Sequence, residues 1–465
     1  MRLAWFSPLP PVRSGIAAYS AEVVPLVGRH HAIDVFVDAP VPDVTGQLGW
    51  AEHQGWAGPL RARSAFDFLP LHRRQPYDLV VYQVGNAAWH DYTWPYLVRF
   101  PGLVVLHDGT LHHARARALL GRGRQDDYRA EFRFNHPAAD PRLAEHAIAG
   151  LPGYHYYRWP MRRLVVETAR AVAVHNAHLA RVIADECPGA AVLPLRKGLR
   201  SPVLPAAGAG VRRPEWQGVV FAAYGLVTDE KRIPLILRTF ASTFAGSARA
   251  HLLLVGGTTP SFDPRAEAER LGIGSRVTVT GYVDDESLDA WIHAADVCLC
   301  LRWPTSGESS GPLLRCLAAG KPTVVTALSQ HLDLPVIDAR QGTVYGGSAD
   351  APPATWRDAV AMSVDLVDEP EAVALAMRRL TADGALRESL GRNAAAHASG
   401  RHRLDLLAQD YLGAVETAAG LTPRHVAGLP PHLVDDGGGT ARRVLADVGV
   451  DADVPGPLGA APAVP

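Results

Sequence analysis

Cysteine is scarce: the 465 residues hold only Cys187, Cys298, Cys300 and Cys316. No two form a CxxC pair, which excludes a disulfide-stapled scaffold and a thiolate zinc site. Three of them lie in apolar runs and read as small core residues rather than redox centres. A reducing, cytoplasmic location is the expectation. Runs of roughly 18 or more apolar residues are missing, so no helix is expected to span a membrane. The N-terminal stretch Met1–Pro8 is too short in apolar residues for a signal peptide and reads as a first strand. Charge of one sign is also lacking: Lys and Arg total 46 against 47 Asp and Glu, so no global field recommends nucleic acid as a partner. The G-x-G-x-x-G fingerprint does not follow the first strand, which argues against a nicotinamide enzyme. No short-period repeat is present, so solenoids and propellers are unsupported.

What is present is an α/β alternation. Apolar runs expected to be strands are Arg2–Phe6, Ile33–Val37, Asp78–Gln83, Leu103–Leu106 and Ala171–Val174. A second series follows with Val219–Ala223, His251–Val255, Arg276–Thr280, Val297–Leu301 and Pro322–Thr326. The chain is too long for one core, so the expectation is two facing Rossmann-like domains with parallel sheets and a cleft between them. They would span 1–200 and 215–400, joined by a Pro/Gly/Ala linker at 201–214. Ligands in such sheets bind beyond the carboxyl ends of the strands. A helix at 401–420 would cross back to the first domain. Residues 421–465, rich in Pro, Gly and Ala, read as a largely disordered tail with one short helix near Thr440–Val448.

Three strand-end loops carry the candidate chemistry. In Arg302-Trp-Pro-Thr-Ser-Gly-Glu-Ser-Ser-Gly-Pro-Leu-Leu-Arg-Cys-Leu-Ala-Ala-Gly-Lys-Pro322 a strand gives way to a polar loop and then a helix over Leu313–Ala319. Backbone donors around Ser309, Ser310 and Gly311 could meet an anion through the helix terminus. Glu308 could accept hydrogen bonds from sugar hydroxyls, and Arg315 could present its planar fork to phosphate. An ordinary capping loop and a surface salt bridge are the plainer alternatives. The loop Tyr224–Pro234 offers Lys231, which on its own could equally be a surface charge. In Phe6–Ser20, Ser14 and Gly15 stand at a helix start, where glycine permits close approach of a phosphate or sugar. His112 and His113 are adjacent on a helix and point apart, so no metal site is expected.

The first of these segments resembles the carboxylate motif of family 4 glycosyltransferases of the GT-B fold: Glu, seven residues, Glu, then Ala-x-x-x-Gly-x-Pro. Pro304, Glu308 and Gly320-Lys-Pro322 match it. The second glutamate is replaced, falling on Arg315 or Cys316 depending on the end counted from. Tyr224–Pro234 resembles the family's diphosphate loop. Lys231 fits its lysine, while its arginine falls on Gly225 or Leu226 and is absent, leaving Arg232 and Arg315 as substitutes. The resemblance runs in order through residues 1–415. It implies a retaining transfer of a hexose from a nucleoside-diphosphate sugar to a hydroxyl acceptor on a glycan, glycolipid or secondary metabolite, without cofactor or metal.

Under that resemblance Lys231 stabilises the leaving diphosphate, Glu308 orients the donor sugar, and His107 lies beside its anomeric carbon. Ser14, Gly15, Gly225, Arg232, Tyr282, Val283, Ser309, Ser310, Gly311 and Arg315 would contact the donor. Gln83, Asn86, His90, Asp108 and His175 would line the acceptor side. The basic, aromatic stretch 114–157 could shape acceptor choice or touch anionic lipid as a peripheral membrane contact. An epimerase or phosphorylase of the same fold is the rival enzyme reading, and a degenerate binding subunit is the non-enzyme one. The Ala/Arg/Gly-rich composition is that of a high-GC bacterium. The partners implied are a sugar nucleotide and an acceptor, no nucleic acid, with the oligomeric state left open.

Overall fold

The computed structural model describes residues 1–38, 61–151, 153–200, 216–347, 355–435 and 438–447. Two compact units divide the chain. The first takes residues 1–175 and 179–195 and then the chain from Ala408 onward; the second takes 176–178 and 196–407. The expected linker at 201–214 lies outside the described residues.

Unit 1 is built on a sheet of seven strands among the described residues: β1 (Arg2–Phe6), β2 (Ala32–Val37), β3 (Arg61–Ser64), β4 (Leu79–Val84), β5 (Leu103–Leu106), β6 (Ala171–Val174) and β7 (Val192–Pro194). Their order is β3-β2-β1-β4-β5-β6-β7, all parallel. Parallel strands covered by helices on both faces must be apolar throughout, and β4 and β5 are buried at every position. Phe6, Phe36, Phe68 and Tyr82 interlock in their core at centroid distances near 5 Å.

Unit 2 repeats the plan with β8 (Val219–Tyr224), β9 (Ala250–Val255), β10 (Val277–Gly281), β11 (Val297–Cys300), β12 (Thr323–Thr326), β13 (Val336–Asp338), β14 (Val344–Tyr345) and β15 (Ala361–Val364). The order is β10-β9-β8-β11-β12-β15-β13-β14, parallel except for the β13–β14 pair. The strand order reverses near the middle of each sheet, between β1 and β4 in unit 1 and between β8 and β11 in unit 2, where β15 also inserts between β12 and β13. The loops leaving β1 and β4, and those leaving β8 and β11, stand at the switch point of their own sheet, the usual ligand position in such sheets. All of the motifs above except those at β5, β6 and β10 sit on those loops.

The last segment joins unit 1. Helix Leu404–Gly420 carries Tyr411, fully buried, whose ring lies tilted against Trp5 at 5.4 Å and whose hydroxyl accepts a hydrogen bond from Tyr19 Oη at 3.0 Å. The supposed tail is ordered over 421–435. Leu433 on the short helix Pro431–Val434 enters the unit 1 core. Arg424 donates to Val166 O at 2.7 Å, and Arg99 to Asp435 O at 2.5 Å. One buried leucine and these anchors outweigh the local Pro/Gly preference for disorder. A further helix, Gly438–Asp447, lies close to where the sequence placed one. Among the described residues no helix is long and apolar enough to cross a membrane.

Candidate functional site

Unit 2 holds a pocket lined by Tyr224, Lys231, Cys300, Arg302, Glu308, Ser310, Pro312, Gln330 and His331, among others. It lies where the loops after β8 and β11 separate. The two loops are tied together, because Trp303 N–H donates to Glu230 O at 2.7 Å. Lys231 folds back so that Nζ donates to Tyr224 O at 2.5 Å. Burial pushes its pKa down to about 8, and the neighbouring Arg302 guanidinium pushes the same way.

Gly225 makes that fold-back possible. Its φ is +89°, and a Cβ there would lie 2.1 Å from Lys231 Nζ. Gly225 is one of the two positions on which the family's arginine falls, Leu226 being the other, and the space beside it is filled by the lysine's own ammonium. Gly225→Ala is expected to lower the melting temperature, reflecting a backbone cost of about 1–2 kcal/mol in the left-handed region. It should also displace the ammonium, which a thermal melt and nucleotide titration of the same variant would report together.

Glu308 is held by its own loop. Oε2 accepts from Ser306 N–H at 2.9 Å and from Thr305 Oγ1 at 3.1 Å, while Oε1 pairs with Arg302 Nε at 2.6 Å. Gln330 Nε2 donates to Thr305 Oγ1 at 2.6 Å and so fixes the hydroxyl that fixes the carboxylate. Asn176 and Lys197 brace the loop from outside: Asn176 Nδ2 donates to Gly307 O at 3.0 Å, and Lys197 Nζ to Ser309 O at 2.6 Å. The helix then begins at Gly311, earlier than the sequence placed it, and runs to Ala318. Ser310 Oγ caps it by accepting from Leu313 N–H at 3.3 Å. Pro312 has no N–H, so fewer donors meet an incoming anion than expected, chiefly those of Ser310 and Gly311. Gly320, at φ +66°, ends the helix in a Schellman turn, with Lys321 N–H donating to Cys316 O and Gly320 N–H to Leu317 O. That turn is the physical content of the Gly-Lys-Pro match.

Several expected donor contacts are committed elsewhere. Arg232 stands at φ +59° just before the helix Ile233–Thr243 and clasps the buried Glu369 with its guanidinium. A buried carboxylate needs that charge, so Arg232 is a structural residue and not a substitute for the missing arginine. Arg315 pairs with the buried Asp289 at 3.6 Å and does not line the pocket. Tyr282 is exposed at the end of β10, and Val283 packs against the core beside Trp291. Arg302, which the sequence reading passed over, is the second cation of the pocket. No spacing rule marks it; only the direction of its side chain does.

In unit 1 the candidates form a buried network rather than an open lining. His107 Nε2 meets Gln83 Oε1 at 2.8 Å, and Gln83 Nε2 donates to Tyr411 Oη at 3.2 Å. His107 and His175 lie 5.2 Å apart at the ring centroids, and Tyr19 stands edge-on to both. Gln83 is fully buried, so it positions His107 and cannot itself line an acceptor site. His90 is also buried, its Nδ1 on Gln83 O at 2.8 Å, and burial lowers its pKa to about 4. It too is internal. Asn86 N–H donates to Asp108 Oδ2 at 2.7 Å, and Asn86 Oδ1 accepts from Ala114 N–H at 3.0 Å. Both Asn86 and Asp108 keep partial exposure. Ser14 Oγ caps the helix Gly15–Val27 by accepting from Ile16 N–H at 3.2 Å, and a Cβ on Gly15 would meet nothing within 4 Å. The space over Gly15 is open, as a site of close approach requires.

Residues 218–383 match the family model described as glycosyl transferases group 1. A search of curated protein sequences returns no match. Among solved structures, a sucrose-phosphate synthase from Thermosynechococcus elongatus superposes with a TM-score of 0.57 at 17% identity, covering 89% of this chain and 98% of its own. HepE from Anabaena, solved in complex with UDP and glucose, gives a TM-score of 0.56 at 13% identity over 90% and 100% of the two chains. WaaG, described as a glycosyltransferase involved in lipopolysaccharide biosynthesis, gives 0.52 at 16% identity over 90% and 100%. The fold shared with these structures is GT-B.

Proposed function

We propose, from the match of residues 218–383 to the glycosyl transferases group 1 model and from the GT-B fold, that the protein moves a hexose from a nucleoside-diphosphate sugar to a hydroxyl acceptor. The observation that carries this reading is that the Lys231 ammonium and the Glu308 carboxylate line one pocket, beside a capped helix terminus at the switch point of the sheet. The enclosed room there is about 30 Å³, enough for a water-sized group and not for a hexose diphosphate. A donor would therefore lie across the mouth and send one phosphoryl oxygen inward to Lys231. Ser310 and Gly311 N–H would receive another, and Glu308 would meet the sugar hydroxyls. Charge built up on the departing diphosphate is neutralised by these groups of the chain, without a metal. His107, oriented by Gln83, is assigned to the sugar, and Ser14 and Gly15 are assigned to the donor's approach. Asn86, Asp108 and His175 are assigned to the acceptor side.

Retention of anomeric configuration follows the family resemblance, as does an acceptor drawn from glycans, glycolipids or secondary metabolites. HepE, of the same fold, is described with UDP-glucose bound, which makes UDP-glucose the first donor to try. The four free thiols fit a cytoplasmic setting.

The test is a thermal-shift screen against UDP-, GDP-, ADP- and dTDP-sugars. A ligand at about 100 times its Kd stabilises the folded state by roughly 2.7 kcal/mol, and no response to any of them would overturn the reading. Product formed without added acceptor would point to an epimerase instead.

A pH dependence follows from Lys231. Below about 8 it is protonated in the free protein; above that it is neutral, and binding a diphosphate must draw in a proton. Donor affinity is expected to fall as pH rises from about 8 to 10, with proton uptake measurable by calorimetry in buffers of different ionisation enthalpy. The stability of the empty protein has the opposite sign. Its lysine titrates at about 8 against an ordinary 10.5, so between those values the unfolded chain binds more protons and stability rises with pH.

A further inference from the structure

The family pattern that this chain resembles supplies two cations to the diphosphate, and its arginine falls here on Gly225 or Leu226, neither of which carries charge. Neither Arg232 nor Arg315 restores it, since each answers a buried carboxylate elsewhere in unit 2. Arg302 is differently placed. Its backbone N–H donates to Thr326 Oγ1 at 2.9 Å at the end of β11, and the next residue is tied to the Lys231 loop through Glu230 O. Its guanidinium therefore shares the pocket with Lys231. Two cations and one carboxylate, Glu308, face one another there, with His331 buried and its pKa lowered by burial. The empty pocket carries an excess positive charge that an anion would satisfy.

The attachment of Arg302 is the informative feature. It holds Glu308 through Oε1 alone, while Oε2 is kept by Ser306 N–H and Thr305 Oγ1. The Arg302 side chain is 31% exposed against 17% for Glu308, while its Nε, beside Oε1, is itself buried. We propose that Arg302 is the second diphosphate cation, parked on Glu308 until the donor arrives. The diphosphate takes the guanidinium, whose planar fork suits two phosphoryl oxygens. Glu308 Oε1 is thereby released to a sugar hydroxyl, while Oε2 remains anchored and keeps the carboxylate in place. Binding the phosphates and presenting the sugar-orienting carboxylate become one exchange. This rests on the glycosyltransferase reading above.

Calorimetric titration of UDP, GDP, ADP and dTDP, with the matching monophosphates, into wild type, Arg302→Gln, Arg302→Lys, Glu308→Gln and Lys231→Ala tests it. Arg302→Gln should weaken the preferred diphosphate roughly ten- to a hundredfold and the monophosphate much less. Arg302→Lys, which keeps the charge and much of the packing, should recover part of the loss. Glu308→Gln should tighten the free diphosphate several-fold, because the carboxylate no longer competes for Arg302, while turnover of the sugar nucleotide falls. A purely structural ion pair would instead make both glutamine variants lose affinity together. Diphosphate affinity unchanged in Arg302→Gln but lost in Lys231→Ala would overturn this proposal alone, as would weaker diphosphate binding by Glu308→Gln. Wild type binding no diphosphate at all would remove the underlying function as well.

Discussion

Replacing Lys231 by alanine is expected to lower turnover of the sugar nucleotide by about a thousandfold without lowering the melting temperature. Two unit charges about 4 Å apart at an effective dielectric near 20 interact by about 4 kcal/mol. If that attraction is realised only as negative charge gathers on the leaving diphosphate, it enters the barrier in full and gives the stated factor. The stability half of the expectation comes from the same burial. An ammonium whose pKa is driven down to about 8 is a cation the fold holds at a cost. Removing it relieves that cost, and Tyr224 O loses only one donor. Steady-state kinetics with a parallel thermal melt checks both. A rate within a few-fold of wild type, at unchanged stability, would remove Lys231 from the mechanism.

The second large effect lies in unit 1, away from this pocket. Glu131 is fully buried and takes Arg115 in a two-pronged pair, Nε to Oε2 at 2.8 Å and Nη2 to Oε1. Arg115 lies over the Trp94 ring at 4.2 Å, and His432 meets the same carboxylate at 2.9 Å. Glu131→Ala is expected to destabilise the protein by about 3–5 kcal/mol, because it strands a buried guanidinium. Asp91, 3.8 Å away, is too distant to replace the lost hydrogen bonds. Burial pushes the Glu131 carboxyl up, but Arg115 and the His432 hydrogen bond outweigh it and hold it below its ordinary value. A depressed carboxylate contributes stability above the unfolded pKa and loses it as pH falls through the folded one. The gap in denaturation midpoint between wild type and variant should therefore narrow in acid. A gap under 1 kcal/mol at neutral pH would show the pair to be dispensable.

Most of the fold was legible because long buried strands write themselves as apolar runs. All ten strands read from the sequence appear within a residue of their expected ends. The five not foreseen, β3, β7, β13, β14 and β15, are two to four residues long, too short for a period to show. The site was legible as loops but not as side-chain directions. Lys231 and Glu308 stood out through their motif. Arg302, Arg232 and Arg315 look alike in sequence, and their roles are decided by the carboxylates they meet, Glu308, Glu369 and Asp289. Gln83 and His90 misled for a related reason. Polarity at a strand end suggests exposure, whereas both are buried, Gln83 bonded to Tyr411 and His90 held through Nδ1 on Gln83 O. The ordered segment 421–435 was hidden by its Pro/Gly content, since a single leucine finding a socket leaves no periodic trace.

The way unit 1 is assembled from both ends of the chain bears on its birth at the ribosome. Its sheet is synthesised first, yet Gln83, Tyr19 and Trp5 have no Tyr411 to pack against until the whole of unit 2 has been made. Residues 196–407 reach completion while the sheet encoded before them still lacks its closing helix. The unit whose sheet is made before unit 2 is thus the one that finishes folding after it, and a polypeptide released before Tyr411 would carry a completed second unit and an unsealed first.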